Sequence, residues 1–500
     1  MVSLSFFGGV NEIGGNKILL EDQETRVLLD WGVSFGQMDD YYDEFLKPRN
    51  FAVVDEYIEF DMLPEIKGLY REDYLKHSNP NHPLLERGTG KAADAVIISH
   101  AHIDHVGMIP LLRRDIQLMG SETTYRILSF LEQTTSQGVN DYCTWCPSFR
   151  LHPMANGKGM KKARSSDLED EKVTREYITM PGDSHHQLND IDIEAYPVDH
   201  SLPGANAYII KTSAGNVAYT GDLRFHGYDS AATGEYVKKL EETDIKALLC
   251  EGTNAVESPG FTEQVLESKL AQVMDETKNL VIAYYAQRDA NRILTLSKAA
   301  KSCGRKLLVN PKQAYYLEML KNIRNLHLPN VNDIEIFLPK KGWGVWGNPA
   351  FEEKIQMQDY SYSYPSVIRD FIFDGRTLLT SEDVTKAQGE FVVTCGFYEL
   401  NILHDLAPKE KSCYIWSRSE PFDDEGMFEL ERVKKWLNHF GLGEPVSLHC
   451  SGHMFGTEIK ELIERAQPEI VVPIHTEHPE EFKEWHDDVR IVDKNGVLEL

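Results

Sequence analysis

The chain has 500 residues, 41% hydrophobic and 26% charged, which supports a large buried core and excludes a protein disordered overall. A net charge of -27 excludes binding of a polyanion over the whole surface, so any nucleic-acid path must be a confined basic groove in an acidic body. The length suggests two lobes, or one domain inserted into another.

The amino terminus lacks the basic and apolar regions of a secretory signal, and no later apolar run is long enough to span a bilayer. The expectation is a cytoplasmic protein that binds no membrane. Seven scattered cysteines do not form a disulfide framework, and the lone pair Cys143 and Cys146, which could be half a zinc knuckle or a redox pair, is read as loop packing.

Residues 4–7, 17–20 and 27–30 are β-like runs separated by glycines, and Asp30 ends the third, where its carboxylate can orient a metal ligand or brace a loop. Residues 35–90, interrupted by prolines, predict an elaborated surface excursion. A second polar excursion covers 137–186, with a basic loop at 157–164 and an acidic run at 167–172. Strands return at 192–198, 207–211 and 217–220.

After Glu251 the pattern changes: helix at 262–274, strand at 280–285, helix at 290–302 and strand at 306–309, an alternation that predicts a parallel α/β lobe. Arg288, Arg292, Lys298, Lys301, Arg305 and Lys306 recur around one of these helices, as a basic groove or as a solvated face. Further strands are expected at 392–394 and 413–416. Thr457 is read as the N-cap of a helix leading to a buried strand at 470–474.

Ser99-His100-Ala101-His102-Ile103-Asp104-His105 follows the apolar run 95–98. Alternation along extended chain sends His100 and His102 to one side, and a tight turn then returns Asp104 and His105. Imidazole and carboxylate are the ligands zinc takes in catalytic sites, and the cluster has enough of them for two ions. A surface histidine cluster is the competing reading, but it seldom follows a core strand. His200 and Asp222 also lie at strand ends, and a carboxylate such as Asp222 can bridge two ions.

His100, His102, Asp104, His105, His200 and Asp222 together resemble the metal motifs of the metallo-β-lactamase superfamily. Glu251, His453 in Ser451-Gly452-His453, and His475 in Val472-Pro473-Ile474-His475 are similar to the additional motifs of the β-CASP nucleases. The wording of residues 8–17 and Thr253-Asn254-Ala255 resembles the RNase J-like members of that group. His200 to Asp222 and His453 to His475 both span 22 residues, as in that pattern. Thr394-Cys395-Gly396-Phe397-Tyr398-Glu399 departs from it, where the family carries a Gly-Gln-Gly-Glu-like stretch.

The resemblance implies an α/β fold, a metallo-β-lactamase αββα sandwich (1–258 and 453–500) with an inserted β-CASP domain (259–452). It implies a zinc-dependent ribonuclease acting on single-stranded RNA, a 5′-to-3′ exonuclease with endonuclease action alongside. Two Zn2+ would be held by His100, His102 and His200, and by Asp104, His105 and His475, with Asp222 between them. His453 would donate a hydrogen bond or a proton to the departing oxygen, and Glu251 would orient it or act structurally. Ser417, Arg418 and Ser451 are candidates for the phosphate path, and Tyr284, Tyr285, Tyr315, Tyr316 and Phe397 for contact with bases or for core. A homodimer is left open. The rival readings are a small-molecule hydrolase on the same metals, a DNA-directed β-CASP nuclease, and an idle RNA-binding scaffold.

Overall fold

In Val2–Gly8, Val2, Leu4 and Phe6 alternate with less buried neighbours, so this strand lays one face on a core. The computed structural model describes residues 2–500 except 44, 87–89, 136–142, 147–150, 155–156, 158–159, 163–172, 183, 362 and 420–423. Val2–Gly8 pairs antiparallel with Lys17–Asp22, which pairs antiparallel with Thr25–Trp31. Thr25–Trp31 then runs parallel to the fully buried Ala95–Ile97, followed by Gln117–Gly120 and Tyr177–Thr179, while Val497–Glu499 covers the other edge. Seven strands result.

A second sheet holds six strands in the order Ser184–Leu188, Ile191–Pro197, Asn206–Thr212, Gly215–Tyr219, Ile245–Glu251 and Ile470–Ile474. The two sheets bury their facing sides in one apolar layer, with Leu4, Phe6, Ile18, Leu29 and Ile97 from one and Ile193, Tyr208, Val217, Leu249 and Val472 from the other. Helices Ser230–Glu241 and Gly456–Ala466 cover the outside of the second sheet. Helix Glu122–Thr134 and residues from 53–75 pack in the core outside the first. The architecture is an αββα sandwich.

Between Ile245–Glu251 and Ile470–Ile474 the chain builds a third sheet, all parallel, in the order Leu378–Leu379, Ile334–Phe337, Lys306–Val309, Phe391–Thr394, Val281–Tyr285, Cys413–Ser417 and Val446–Ser447. Its strands are apolar because helices such as Ala290–Ser302 and Pro311–Leu320 cover them. This is the parallel α/β lobe that the alternation predicts.

Two expectations need correction. The described residues of 35–90 include helices Phe35–Tyr41, Val53–Glu59 and Glu72–Ser78; Val53, Tyr57, Leu63, Tyr70 and Tyr74 are buried, so 53–75 belong to the core, while helix Phe35–Tyr41 buries no residue and stays on the surface. Each helix is only two turns long, too short for a helical period to show between the prolines. Phe455 rather than Thr457 is the N-cap of Gly456–Ala466, because the Glu458 carboxylate accepts the Phe455 amide at 3.0 Å. The acidic run and most of the basic loop lie outside the described residues. All seven cysteines are free thiols, Cys143 and Cys146 among the buried ones. No described helix is long and apolar enough to cross a membrane.

Candidate metal centre

Asp30, next to last in strand Thr25–Trp31, has a φ of 55°, in the left-handed region that non-glycine residues seldom enter, and its carboxylate reaches the end of the neighbouring strand. The Ser99 amide and hydroxyl donate to it at 2.7 and 2.6 Å, Tyr219 Oη at 2.5 Å and His105 Nδ1 at 2.7 Å. The chain then turns into the one-turn helix Ile103–Val106. The turn nests against glycine: a Cβ on Gly32 would lie 1.6 Å from the Asp104 carbonyl oxygen. Asp30 therefore both braces the loop and orients a ligand.

Two groups of ligand atoms form there and share Asp222. His100, His102, His200 and Asp222 make one, and Asp104, His105, Asp222 and His475 the other, with the ligand atoms of each group within 4.8 Å of one another. His102 Nδ1 lies 2.9 Å from His100 Nε2 and 3.1 Å from His200 Nε2. In the second group His475 Nε2 is 3.2 Å from Asp104 Oδ2, and His105 Nε2 is 3.2 Å from Asp222 Oδ2.

The residues fit a pair of cations. Both Asp222 oxygens and His105 Nε2 are buried and make no well-aligned hydrogen bond, the close approach of Nε2 to Oδ2 included, a costly arrangement that a shared cation would satisfy. In four of the five histidines the nitrogen that does not converge is engaged: His105 on Asp30, His100 with Ser99 Oγ at 3.0 Å, His200 on the Gly452 carbonyl at 2.7 Å, and His475 with Thr253 Oγ1 at 2.8 Å. Such bonds fix tautomer and ring orientation, leaving each convergent lone pair for a metal. The nitrogen and carboxylate donor set suits zinc.

Electrostatics agree. Burial first, then neighbouring histidines, keeps His100 and His200 well below the usual imidazole range, and burial brings His102 to about 4, so all three are neutral as ligands must be. Burial would raise Asp222, but His105, His475 and His453 outweigh it and hold it well below the usual carboxylate range. Burial disfavours charge on His105, yet Asp222, Asp104 and Asp30 raise it well above the ordinary value, so this ring would give up a proton on taking a metal.

His453 stands beside this cluster with 21% of its side chain exposed. Its Nδ1 is 3.3 Å from Glu251 Oε1 and 3.8 Å from Asp222 Oδ2. Burial would lower it, but Glu251 and Asp222 raise it to about 9. Glu251 is buried at the end of its strand and also accepts from the Leu223 and Thr253 amides at 3.2 and 3.1 Å.

A cavity of about 460 Å³ runs from His102 into the parallel lobe, lined by Arg288, Lys312 and Arg418 and by Tyr284, Tyr285, Tyr316, Phe397 and Tyr398. Arg418 lies over the Tyr284 ring, 4.8 Å from its centroid. Two phosphate-path candidates face elsewhere. Ser417 is buried and donates to the Leu448 carbonyl at 2.6 Å, and the Ser451 hydroxyl accepts from Asn254 at 2.9 Å and from the His453 amide at 3.2 Å. Tyr315 packs on Phe130 and Phe371. The basic set around helix Ala290–Ser302 forms no groove: Arg292 is buried, Arg305 is tied to backbone carbonyls, and Lys298, Lys301 and Lys306 pair with Glu267, Asp333 and Glu335. Of that set only Arg288 lines the cavity.

A family model described as a β-lactamase superfamily domain matches residues 60–253. The chain is 22% identical over 485 residues to ribonuclease J of Mycoplasma pneumoniae, covering 94% of this chain and 67% of that one. It is 21% identical over 492 residues to ribonuclease J of Pyrococcus abyssi, covering 95% and 90%. The chain has a metallo-β-lactamase fold and is similar in sequence to ribonucleases J along nearly its whole length. A crystal structure of a protein of unknown function from Enterococcus faecalis shares the fold over the whole of both chains, at a TM-score of 0.68 and 21% identity.

Sequence reasoning on this RNase J-like chain misses the residues behind the ligands. Ser99, beside His100, and Thr253, two residues after Glu251 at the start of the Thr253-Asn254-Ala255 stretch, are small hydroxyl residues with no ligand signature of their own. Tyr398, 86% exposed at the cavity, lies in the stretch that departs from the RNase J-like pattern.

Proposed function

We propose that this protein is a zinc-dependent ribonuclease that hydrolyses phosphodiester bonds of single-stranded RNA in the cytoplasm. The observation that carries the reading is Asp222, shared by two buried ligand groups, with His453 3.8 Å away on a further carboxylate. His100, His102 and His200 would hold one ion, Asp104, His105 and His475 the other, and Asp222 both. When bound, two such ions supply Lewis-acid charge to the phosphate and lower the pKa of water, so that hydrolysis runs at neutral pH.

The chain's own residues do the rest. His453, raised by Glu251 and Asp222, carries a proton at neutral pH and can pass it to the departing ribose oxygen; cations beside Asp222 would take back part of that shift. Glu251 accepts from Nδ1, which leaves the other ring nitrogen for the substrate. Arg288, Lys312 and Arg418 offer positive charge to the RNA backbone inside an otherwise acidic protein, and Phe397 and Tyr398 offer aromatic faces to unstacked bases. Sandwich residues such as His102, Phe130 and Ser201 line this cavity together with residues of the parallel lobe, an approach suited to one unstacked strand. The sandwich corresponds to residues 1–258 and 453–500, and the β-CASP lobe to 259–452.

A choice of RNA over DNA requires contacts to the 2′-hydroxyl. Matched 5′-labelled single-stranded RNA and DNA oligonucleotides are the test, with faster cleavage of RNA and products released stepwise from a 5′-monophosphate end expected. Equal rates on both would move the protein to the DNA-directed branch, and cleavage of neither would favour a small-molecule hydrolase.

A further inference from the structure

Five consecutive residues before His453 are strapped through polar atoms. The Leu448 carbonyl accepts from Ser417 Oγ at 2.6 Å, and His449 Nδ1 faces Arg292 at 3.4 Å. The Cys450 carbonyl accepts from Arg292 at 3.0 Å. The Ser451 carbonyl accepts from Arg224 at 2.7 Å and from His226 Nε2 at 3.0 Å, and the Gly452 carbonyl from His200 at 2.7 Å. A Cβ on Gly452 would lie 2.8 Å from Ser201 Oγ, so the strap also needs glycine for its close approach.

The two arginines come from different lobes. Arg224 follows the Gly215–Tyr219 strand of the sandwich, while Arg292 lies on helix Ala290–Ser302 of the parallel lobe. One buried carboxylate joins them: Glu263 Oε1 is 3.2 Å from Arg292 and 3.5 Å from Arg224, its Oε2 accepts from Thr295 at 2.6 Å, and its amide donates to the His226 carbonyl at 2.9 Å. All three charged groups are fully buried, so their geometry is held by one another rather than by water. Asp199, next to the ligand His200, takes a further Arg224 nitrogen at 3.1 Å.

We propose that Glu263 is a positioning residue for His453: by fixing Arg224 and Arg292 together it sets the 448–452 strap, and so the placement of the proton donor, from both lobes at once. The role of His453 rests on the ribonuclease reading above; the strapping by Glu263 does not. The mechanism does not use Glu263 otherwise, and it touches neither ligand group.

The test compares Glu263→Gln, which keeps the shape and removes the charge, with Glu263→Asp and the wild type in three readouts. Amide exchange of a peptide spanning 448–455 should quicken about tenfold in Glu263→Gln, with that of a peptide spanning 470–475 unchanged and metal content per chain at saturating zinc unchanged. Cleavage of single-stranded RNA should fall about 10- to 100-fold in kcat with KM within about threefold, the scale of a misplaced acid. Hydrolysis of bis(p-nitrophenyl) phosphate, whose leaving group needs no proton, should keep its rate. Glu263→Asp should recover part of the loss. Unchanged exchange at 448–455 would overturn the proposal, as would equal loss on both substrates or loss of metal, which would mark a general structural role. If wild-type protein cleaves no RNA, the ribonuclease reading fails and the exchange result alone decides the strap.

Discussion

The ligand cluster and the cavity beside it are built from opposite kinds of residue. In the cluster His100, His105, His200 and His475 spend their second nitrogen on Ser99, Asp30, the Gly452 carbonyl and Thr253, and they follow strand ends or, for His105, sit in the one-turn helix, all buried. In the cavity Arg418 and Tyr398 follow strands and turns on the parallel lobe, and Tyr398 gives most of its surface to solvent. Chemistry on a phosphate tolerates small errors poorly, whereas a single strand of changing sequence needs accommodating contacts. The same molecule therefore carries a preorganised site and a permissive approach to it. Substitutions should separate them by the size and kind of their effect.

The largest effect belongs to Asp222→Asn, which keeps the volume but removes the charge shared by both groups. RNA cleavage should disappear with thermal melting close to wild type. Metal content, melting and cleavage measured together check this, and near-normal cleavage would break the two-ion account.

His453→Ala and His475→Ala should fail differently. The first should keep full metal content and slow the chemical step about 10²- to 10⁴-fold, the usual range for a general acid. The second should lose occupancy of one ion, and full loading in that protein would remove His475 from the ligand set. Elemental analysis of both variants beside single-turnover cleavage makes the distinction.

Behind the ligands the effect should be smaller. Asp30→Asn replaces an acceptor of His105 Nδ1 with an amide and should weaken metal affinity about 10- to 100-fold, as is usual for an outer partner of a ligand. Competition with a chelator of known affinity measures it. Smallest is Tyr398→Ala in the cavity: KM for RNA should rise by severalfold, corresponding to about 1 kcal/mol of lost stacking, with kcat and metal content unchanged. A fall in kcat of the size seen for His453→Ala would erase the contrast between the two regions.

The same contrast explains what was legible in the chain. The ligands could be read because chemistry compresses them into residues 100–105 after a buried run, and because His200, Asp222, Glu251 and His475 each follow an apolar strand. Strand Lys306–Val309 and helix Ala290–Ser302 were readable from their own periods, as expected for long or wholly buried elements. The helices between residues 35 and 78 were not, since two-turn helices broken by Pro48 and Pro64 leave no period to detect. Thr253 and Ser99 stayed hidden for another reason. A hydroxyl has no signature until the fold brings His475 or Asp30 to it from a distant segment. Glu263 reads as an ordinary acid in the first turn of helix Glu263–Glu276, and only burial between Arg224 and Arg292 gives it a different meaning. Arg292 misled in the same way: counted with its neighbours it suggested a basic groove, and in the fold it is an internal strut.

The central claim is that two ions shared by Asp222 make this protein a ribonuclease. Its most direct test is cleavage of a 5′-labelled single-stranded RNA by chelator-stripped protein as zinc is added back. The account predicts no cleavage in the stripped protein, and activity that rises to its plateau only as the second equivalent per chain binds. Cleavage without metal, or a plateau reached at one equivalent, would contradict it.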